Sequence, residues 1–276
     1  MTVETRAVRR PSAAELQKAW RALTSGEYAV GRADGGYAVG GTNNTGKFAG
    51  WVPAAGESVL PLIGCPGSFG ATTVAVAIAT ASGEGARVVE CCPPAASGLA
   101  AAADAELGVD GSGWRRGRRG GVVLDRCTDI AHSVPDVPPP AECDAGLTVV
   151  DVCWDPTVVL ASSSWLADVV RRAPTVVAVA AATAPALRQL DVLAALLQPV
   201  RLLVVAVGRP VRRWPPAARR IVGPVAEAAL AEGRLVTVPI VRRWAATGLS
   251  ADPLPARILT AVEPLLPFIL EREGTR

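Results

Sequence analysis

GCPGSFGATT, residues 64–73, decides how the rest of this chain is read. It follows the apolar run VLPLI (59–63) and leads into TTVAVAIAT (72–80), a stretch with the composition of a buried helix. Strand, glycine-rich turn, paired hydroxyls and helix, in that order, bring backbone N–H groups together at a helix N-terminus, where they can surround anionic oxygens. Gly64, Gly67, Gly70, Ala71, Thr72 and Thr73 are therefore candidate cofactor-binding positions, with the Thr72 hydroxyl a candidate Mg2+ ligand. A loop of this kind normally carries lysine to neutralise phosphate. None is present here, and the chain's lysines are Lys18 and Lys47.

Working outward, apolar runs of strand length recur at 59–63, 87–91, 121–124, 147–152, 175–180, 202–207 and 235–238. Helical patterns fall at 72–80, 98–107, 162–171, 185–197, 216–230 and 256–270. Continuous apolar strands alternating with helices predict a three-layer α/β fold, a parallel sheet of about seven strands covered by helices on both faces. Short right-handed connections then place any ligand site along the C-terminal edge of the sheet. Residues 1–57 read differently: a short helix over 11–23, then a glycine-, asparagine- and threonine-rich connector expected to be flexible. The division is thus a 1–57 N-terminal region and a 58–276 domain.

The glycine-rich stretch resembles the deviant Walker loop of the ParA/MinD family of P-loop ATPases, including its CpaE- and TadZ-like branch, whose pattern is KGGxGK followed by Thr-Thr or Thr-Ser. On that pattern Gly67 and Gly70 are in place and Thr72 matches the magnesium-binding hydroxyl. Pro66 stands at the signature lysine, Ala71 at the central lysine and Ser68 at a glycine. RVVECCPPAASGLA (87–100) resembles the family's second strand and switch segment, with Glu90 at its first aspartate and Cys92 at the aspartate that orients the attacking water. GLTVVDVCWDP (146–156) resembles the Walker B strand, with Asp151 as its acidic residue and second candidate metal ligand. TVVAVAAATAPALRQLDVLAAL (175–196) and LVTVPI (235–240) resemble later elements, so the likeness runs in order from Val59 to Leu270.

That resemblance implies a P-loop NTPase-like fold, ATP or ADP with Mg2+ as cofactor, protein partners in a larger assembly and a homodimer. It implies a bacterial positioning or scaffolding role in partition, secretion or conjugative transfer, often on mobile elements. The departures bear on chemistry. Phosphoryl transfer depends on positioning and electrostatic stabilisation, and each missing charge-assisted contact costs about 2–4 kcal/mol. With both lysines and the water-orienting carboxylate absent, the expectation is a pseudo-ATPase that binds nucleotide weakly. An active ATPase with arginines in place of the lysines is the alternative, and a nucleic-acid-binding protein is another.

Arginine supplies nearly all the positive charge, and the net charge is only +3, so global steering toward nucleic acid is weak. The richest basic stretch is WRRGRRGG (114–121), read as a loop; Arg115, Arg116, Arg118 and Arg119 are candidate contacts to nucleic acid or phosphate. RRW recurs at 212–214 and 242–244, where tryptophan either packs on arginine stems or offers a stacking surface. Six cysteines show no CxxC pair and read as buried and reduced. Cys65, Cys92 and Cys153 nevertheless fall at strand ends near the loop, where a metal or redox site is the alternative. The single histidine, His132, has no evident catalytic partner. No apolar stretch is long enough for a membrane span, and MTVETRAVRR lacks the apolar core of a secretory leader, so a cytoplasmic location is expected.

Overall fold

The computed structural model describes residues 50–65, 70–129, 131–197 and 200–271. The expected seven strands form β1 (Ser58–Gly64), β2 (Ala86–Glu90), β5 (Val122–Cys127), β6 (Leu147–Asp151), β7 (Thr175–Ala181), β8 (Arg201–Val207) and β9 (Leu235–Val238). All seven run parallel, in the order β5-β2-β6-β1-β7-β8-β9. Two further strands, β3 (Ala105–Val109) and β4 (Trp114–Arg119), extend the β5 edge by antiparallel pairing and make the sheet nine-stranded. They correct two sequence expectations. The helix expected over 98–107 is a turn followed by β3, and the basic segment at 114–119 is a strand, not a loop.

Helices cover both faces. In chain order they are α1 (Ala71–Ala81), α2 (Pro156–Ala161), α3 (Trp165–Arg172), α4 (Ala184–Leu196), α5 (Pro216–Arg219), α6 (Pro224–Ala231), α7 (Arg242–Thr247), α8 (Ala256–Val262) and α9 (Leu266–Leu270). Side chains alternate across each strand. Ile63, Val89, Val150, Ala178 and Val204 face one core with α3, α4 and α6. Leu62, Val88, Val149, Val179 and Val205 face the other with α1 and α8. This double burial explains why the strands read as unbroken apolar runs.

Trp51 meets Trp165 edge to face at 5.6 Å, and the Glu57 carboxylate accepts from the Thr148 hydroxyl, so residues 51–57 are fastened to the sheet. The short helix and connector expected before residue 50 lie outside the described residues, as does Gly67. No helix among the described residues is long and apolar enough to cross a membrane.

Two buried polar arrangements hold the added hairpin. Asp125 on β5, fully buried, receives Arg87 Nε at 2.7 Å and Arg116 Nε and Nη2 at 2.8 and 3.0 Å. Arg119, also buried, donates to the carbonyls of Ala102, Ser250 and Asp252. The arginines of the basic stretch are thus divided: Arg116 and Arg119 serve the fold, and Arg115 and Arg118 point to solvent.

Candidate functional site

The C-terminal edge of the sheet gathers the ends of β1, β2 and β6 around the start of α1. β1 lies between β6 and β7, and the chain leaves it toward β2 on one side and returns to β7 on the other, which is where ligands collect in open α/β sheets. Gly70 opens α1 in the left-handed region (φ 89°), a conformation glycine adopts without strain. Among the described residues no side chain caps α1, and its first turn carries no acid. By contrast Asp155, Ser164 and Thr183 cap α2, α3 and α4. The N-terminus of α1 therefore keeps its free amides and positive dipole end turned to the site.

Thr72, one residue into α1, is half-buried and meets Glu90 at the end of β2, its hydroxyl 3.5 Å from Oε1. Glu90 is itself engaged. It accepts from the Ser97 hydroxyl and from the Gly98 and Leu99 amides, at 2.7 and 3.2 Å, and so ties down the turn that follows β2. Gly98 packs tightly against Thr72: a Cβ there would lie 3.0 Å from the threonine oxygen. Burial raises the Glu90 pKa, opposed by these donors and by the Cys92 thiol.

Asp151 closes the group at the end of β6, directly opposite Glu90 in the ladder. It is fully buried, and neither carboxylate oxygen has a partner in full hydrogen-bonding geometry among the described residues, although the Thr72 hydroxyl and Cys153 thiol stand close to it. Burial pushes its pKa up to about 7; the Thr72 hydroxyl and Cys153 thiol ease the rise and the Glu90 charge adds to it. A buried polar group without a partner is costly and needs an explanation.

The structure thus brings together Gly64, Gly70, Ala71, Thr72, Thr73, Glu90 and Asp151. Beside them opens a cavity of about 640 Å3, lined on one side by Gly70, Thr72 and Thr73 and on the other by Val207, the 238–241 segment and Trp244. The buried Trp244 has an indole N–H without an acceptor among the described residues. Sequence reading did not assign Trp244 to this site; its place one turn beyond the LVTVPI strand was the available signal. Trp214, of the other RRW cluster, is buried and donates to the Arg209 carbonyl at 2.8 Å, so neither tryptophan offers an open stacking face.

β4 lies four strands from β1, about 19 Å at the usual strand spacing. Its arginines do not stand in for the missing loop lysines. Among the described residues no three of His, Cys, Asp and Glu are grouped to hold a metal ion. Mg2+ asks for less, because it binds through one or two carboxylates together with substrate phosphates. Asp151 and Thr72 fit that requirement.

No protein-family model matches the sequence, and no curated protein is significantly similar to it. Several solved structures are similar to it in arrangement, three of them as follows. A plasmid partition protein from Borrelia burgdorferi is 10% identical, with a TM-score of 0.45 over 78% of this chain and 99% of that one. The MinD cell division protein of Aquifex aeolicus is 12% identical, with a TM-score of 0.47 over 79% and 99%. A further partition protein is 12% identical, with a TM-score of 0.43 over 78% of this chain and 69% of that one.

Proposed function

We propose that this chain is a nucleotide-binding module that has lost hydrolysis, a pseudo-ATPase serving as a positioning or scaffolding component in partition, secretion or conjugative-transfer machinery. The observation that carries the reading is Asp151, a fully buried carboxylate with no hydrogen-bond partner among the described residues, beside Thr72 at the start of α1. Such a group is retained at a cost to stability where a ligand satisfies it. Thr72 and Asp151 would hold Mg2+, the α1 amides from Ala71 to Thr73 would receive phosphate oxygens, and Glu90 would fix Thr72 and the turn over it. Bound Mg2+ would supply charge neutralisation between two phosphates.

The neighbouring cavity suits the base and sugar, with apolar walls and the Trp244 indole N–H as a donor for a ring nitrogen. Hydrolysis asks for more. A transition state gathering charge needs cations already in place, and the described residues supply none beside Thr72. Phosphate release at high protein concentration is expected to stay at the buffer rate, and calorimetry is expected to show Mg2+-dependent binding of ATP or ADP that Thr72→Ala weakens. An absence of binding for every nucleotide would end this reading.

Restoring charge gives a converse test. Ala71 is the first residue of α1, where the family pattern has its central lysine. Ala71→Lys is expected to tighten ATP binding about tenfold to a hundredfold, since a hydrogen bond to a charged group is worth about 1.5–3 kcal/mol. Calorimetry of the two proteins side by side measures it, and an unchanged affinity would place the phosphates elsewhere.

A further inference from the structure

We infer that Cys92 and Cys153 form a redox-active dithiol, a modification site that takes small-molecule disulfides of the glutathione class and closes to an intramolecular disulfide. The inference rests on backbone register and does not depend on nucleotide binding.

β2 and β6 are adjacent parallel strands paired without a bulge from Ala86↔Leu147 to Glu90↔Asp151. The ladder continues one bond further, with the Cys91 amide donating to the Asp151 carbonyl at 3.0 Å. Two residues beyond the last registered pair stand Cys92 on one strand and Cys153 on the other, at matched positions. The Trp154 indole N–H donates to the Cys91 carbonyl at 2.7 Å and ties the two segments together just past the sheet. Neighbouring strands lie about 4.8 Å apart, and a disulfide needs its Cα atoms about 4.4–6.8 Å apart, so a pair that keeps the ladder's spacing just past its end falls in the bridging range.

Cys153 has φ 59°, the one non-glycine positive φ among the described residues. A side chain held there is strained, and such residues collect at functional positions. Its thiol donates to the Asp151 carbonyl at 3.3 Å, and the neighbouring Cys92 thiol, burial and the Asp151 carboxylate push its pKa well above the usual thiol range. The two residues also differ in access: Cys153 is exposed, and Cys92 is only 4% exposed. Cys153 is the surface residue of the pair, its thiol turned inward to the Asp151 carbonyl; on turning outward it would meet the oxidant, and the sheltered Cys92 would resolve the adduct.

The chemistry balances. The Cys153 sulfur attacks one sulfur of glutathione disulfide, forming a mixed disulfide and releasing one glutathione thiol. The Cys92 sulfur then attacks Cys153, breaking the mixed disulfide and releasing a second. Two protein thiols are oxidised, one small disulfide is reduced to two thiols, and the two protons go to the released glutathione. Cys65, Cys91 and Cys127 are buried without an exposed partner and stay reduced.

The test equilibrates the full chain, without oxygen, in glutathione buffers of increasing disulfide content, alkylates the remaining thiols and maps cross-linked peptides by mass spectrometry. A Cys92–Cys153 link is expected, rising with the ratio of glutathione disulfide to the square of glutathione and reversed by dithiothreitol. Because Cys91 and Cys92 share one tryptic peptide and Cys127, Cys143 and Cys153 another, Cys91→Ser, Cys127→Ser and Cys143→Ser are each expected to keep the link and Cys92→Ser to abolish it, leaving Cys153 as a stable glutathione adduct. The wild-type link, located by fragment ions, stands even where a variant folds poorly. The inference is overturned by a wild-type chain that stops at the Cys153 adduct, that links a different pair, or that stays fully reduced in the most oxidising buffer.

Discussion

Replacing Asp125 by alanine is expected to cost about 3–5 kcal/mol of folding stability, because it leaves two guanidinium groups in or near the core without their shared counter-ion. Arg87 is 1% exposed and Asp125 is fully buried. Arg116 sits directly across from Asp125 in the β4–β5 ladder, and Arg87 reaches the same carboxylate from β2. One carboxylate therefore joins three neighbouring strands. A small protein has only about 5–15 kcal/mol in total, so the variant stands close to unfolding. Urea denaturation followed by tryptophan fluorescence measures the loss, and the fully buried Trp114 on β4 reports on the strands concerned. Replacing all three charges together, Arg87→Met, Asp125→Leu and Arg116→Met, is expected to recover most of it, since an apolar set of similar volume often matches a buried ion group. A loss below about 1 kcal/mol for Asp125→Ala would mean that water reaches the arginines.

The same three residues show where sequence reading reached its limit. The parallel strands were legible because burial on both faces leaves no room for polar alternation, so each appears as a bare apolar run. β5 was read only as far as Leu124, because the next residue is an aspartate, and a charge signals an end unless its partner is known. That partner lies 38 residues away in sequence for Arg87. β3 reads as helix because the alanines at 100–103 and 105 and the glutamate at 106 favour helix locally, while as an edge strand it buries too little to show an apolar period. In β4 the inward positions carry Trp114, Gly117 and Arg119, so one of the buried side chains is itself charged and the pattern reads as a basic loop.

The site divided along similar lines. Glycines, hydroxyls and a carboxylate at a strand end are local signals, and their order along the chain marked Gly70, Thr72, Glu90 and Asp151 as one neighbourhood. The pairing state of each group is a tertiary property. Glu90 is filled by the Ser97 hydroxyl and two amides, while Asp151, opposite it in the ladder, is empty-handed. No spacing rule distinguishes two acids that end adjacent strands, and only the fold shows that one anchors a turn and the other is kept waiting.

That difference leads to the second large effect. Asp151→Asn is expected to stabilise the ligand-free protein at pH 8 by about 2–4 kcal/mol, the opposite of what most buried substitutions do. The folded carboxyl titrates at about 7, against 3.8 without the fold. A raised acid makes the native state hold a proton that the unfolded chain has released. The wild type therefore loses stability as pH climbs from about 4 to 7, and above that the native state carries an unpaired buried charge. Asparagine has no charge to bury, so its advantage is greatest at pH 8 and disappears below pH 4. Glu90, also raised by burial, gives both proteins a slope of the same sign. Denaturation midpoints of the two proteins across pH 4–8 measure the difference, and parallel curves would show that Asp151 is solvated or paired after all. Adding Mg2+ with ATP turns the comparison into a test of function. It is expected to raise the wild-type melting temperature at pH 8 and leave Asp151→Asn nearly unchanged, because a bound cation is the partner this carboxylate lacks and the amide cannot use.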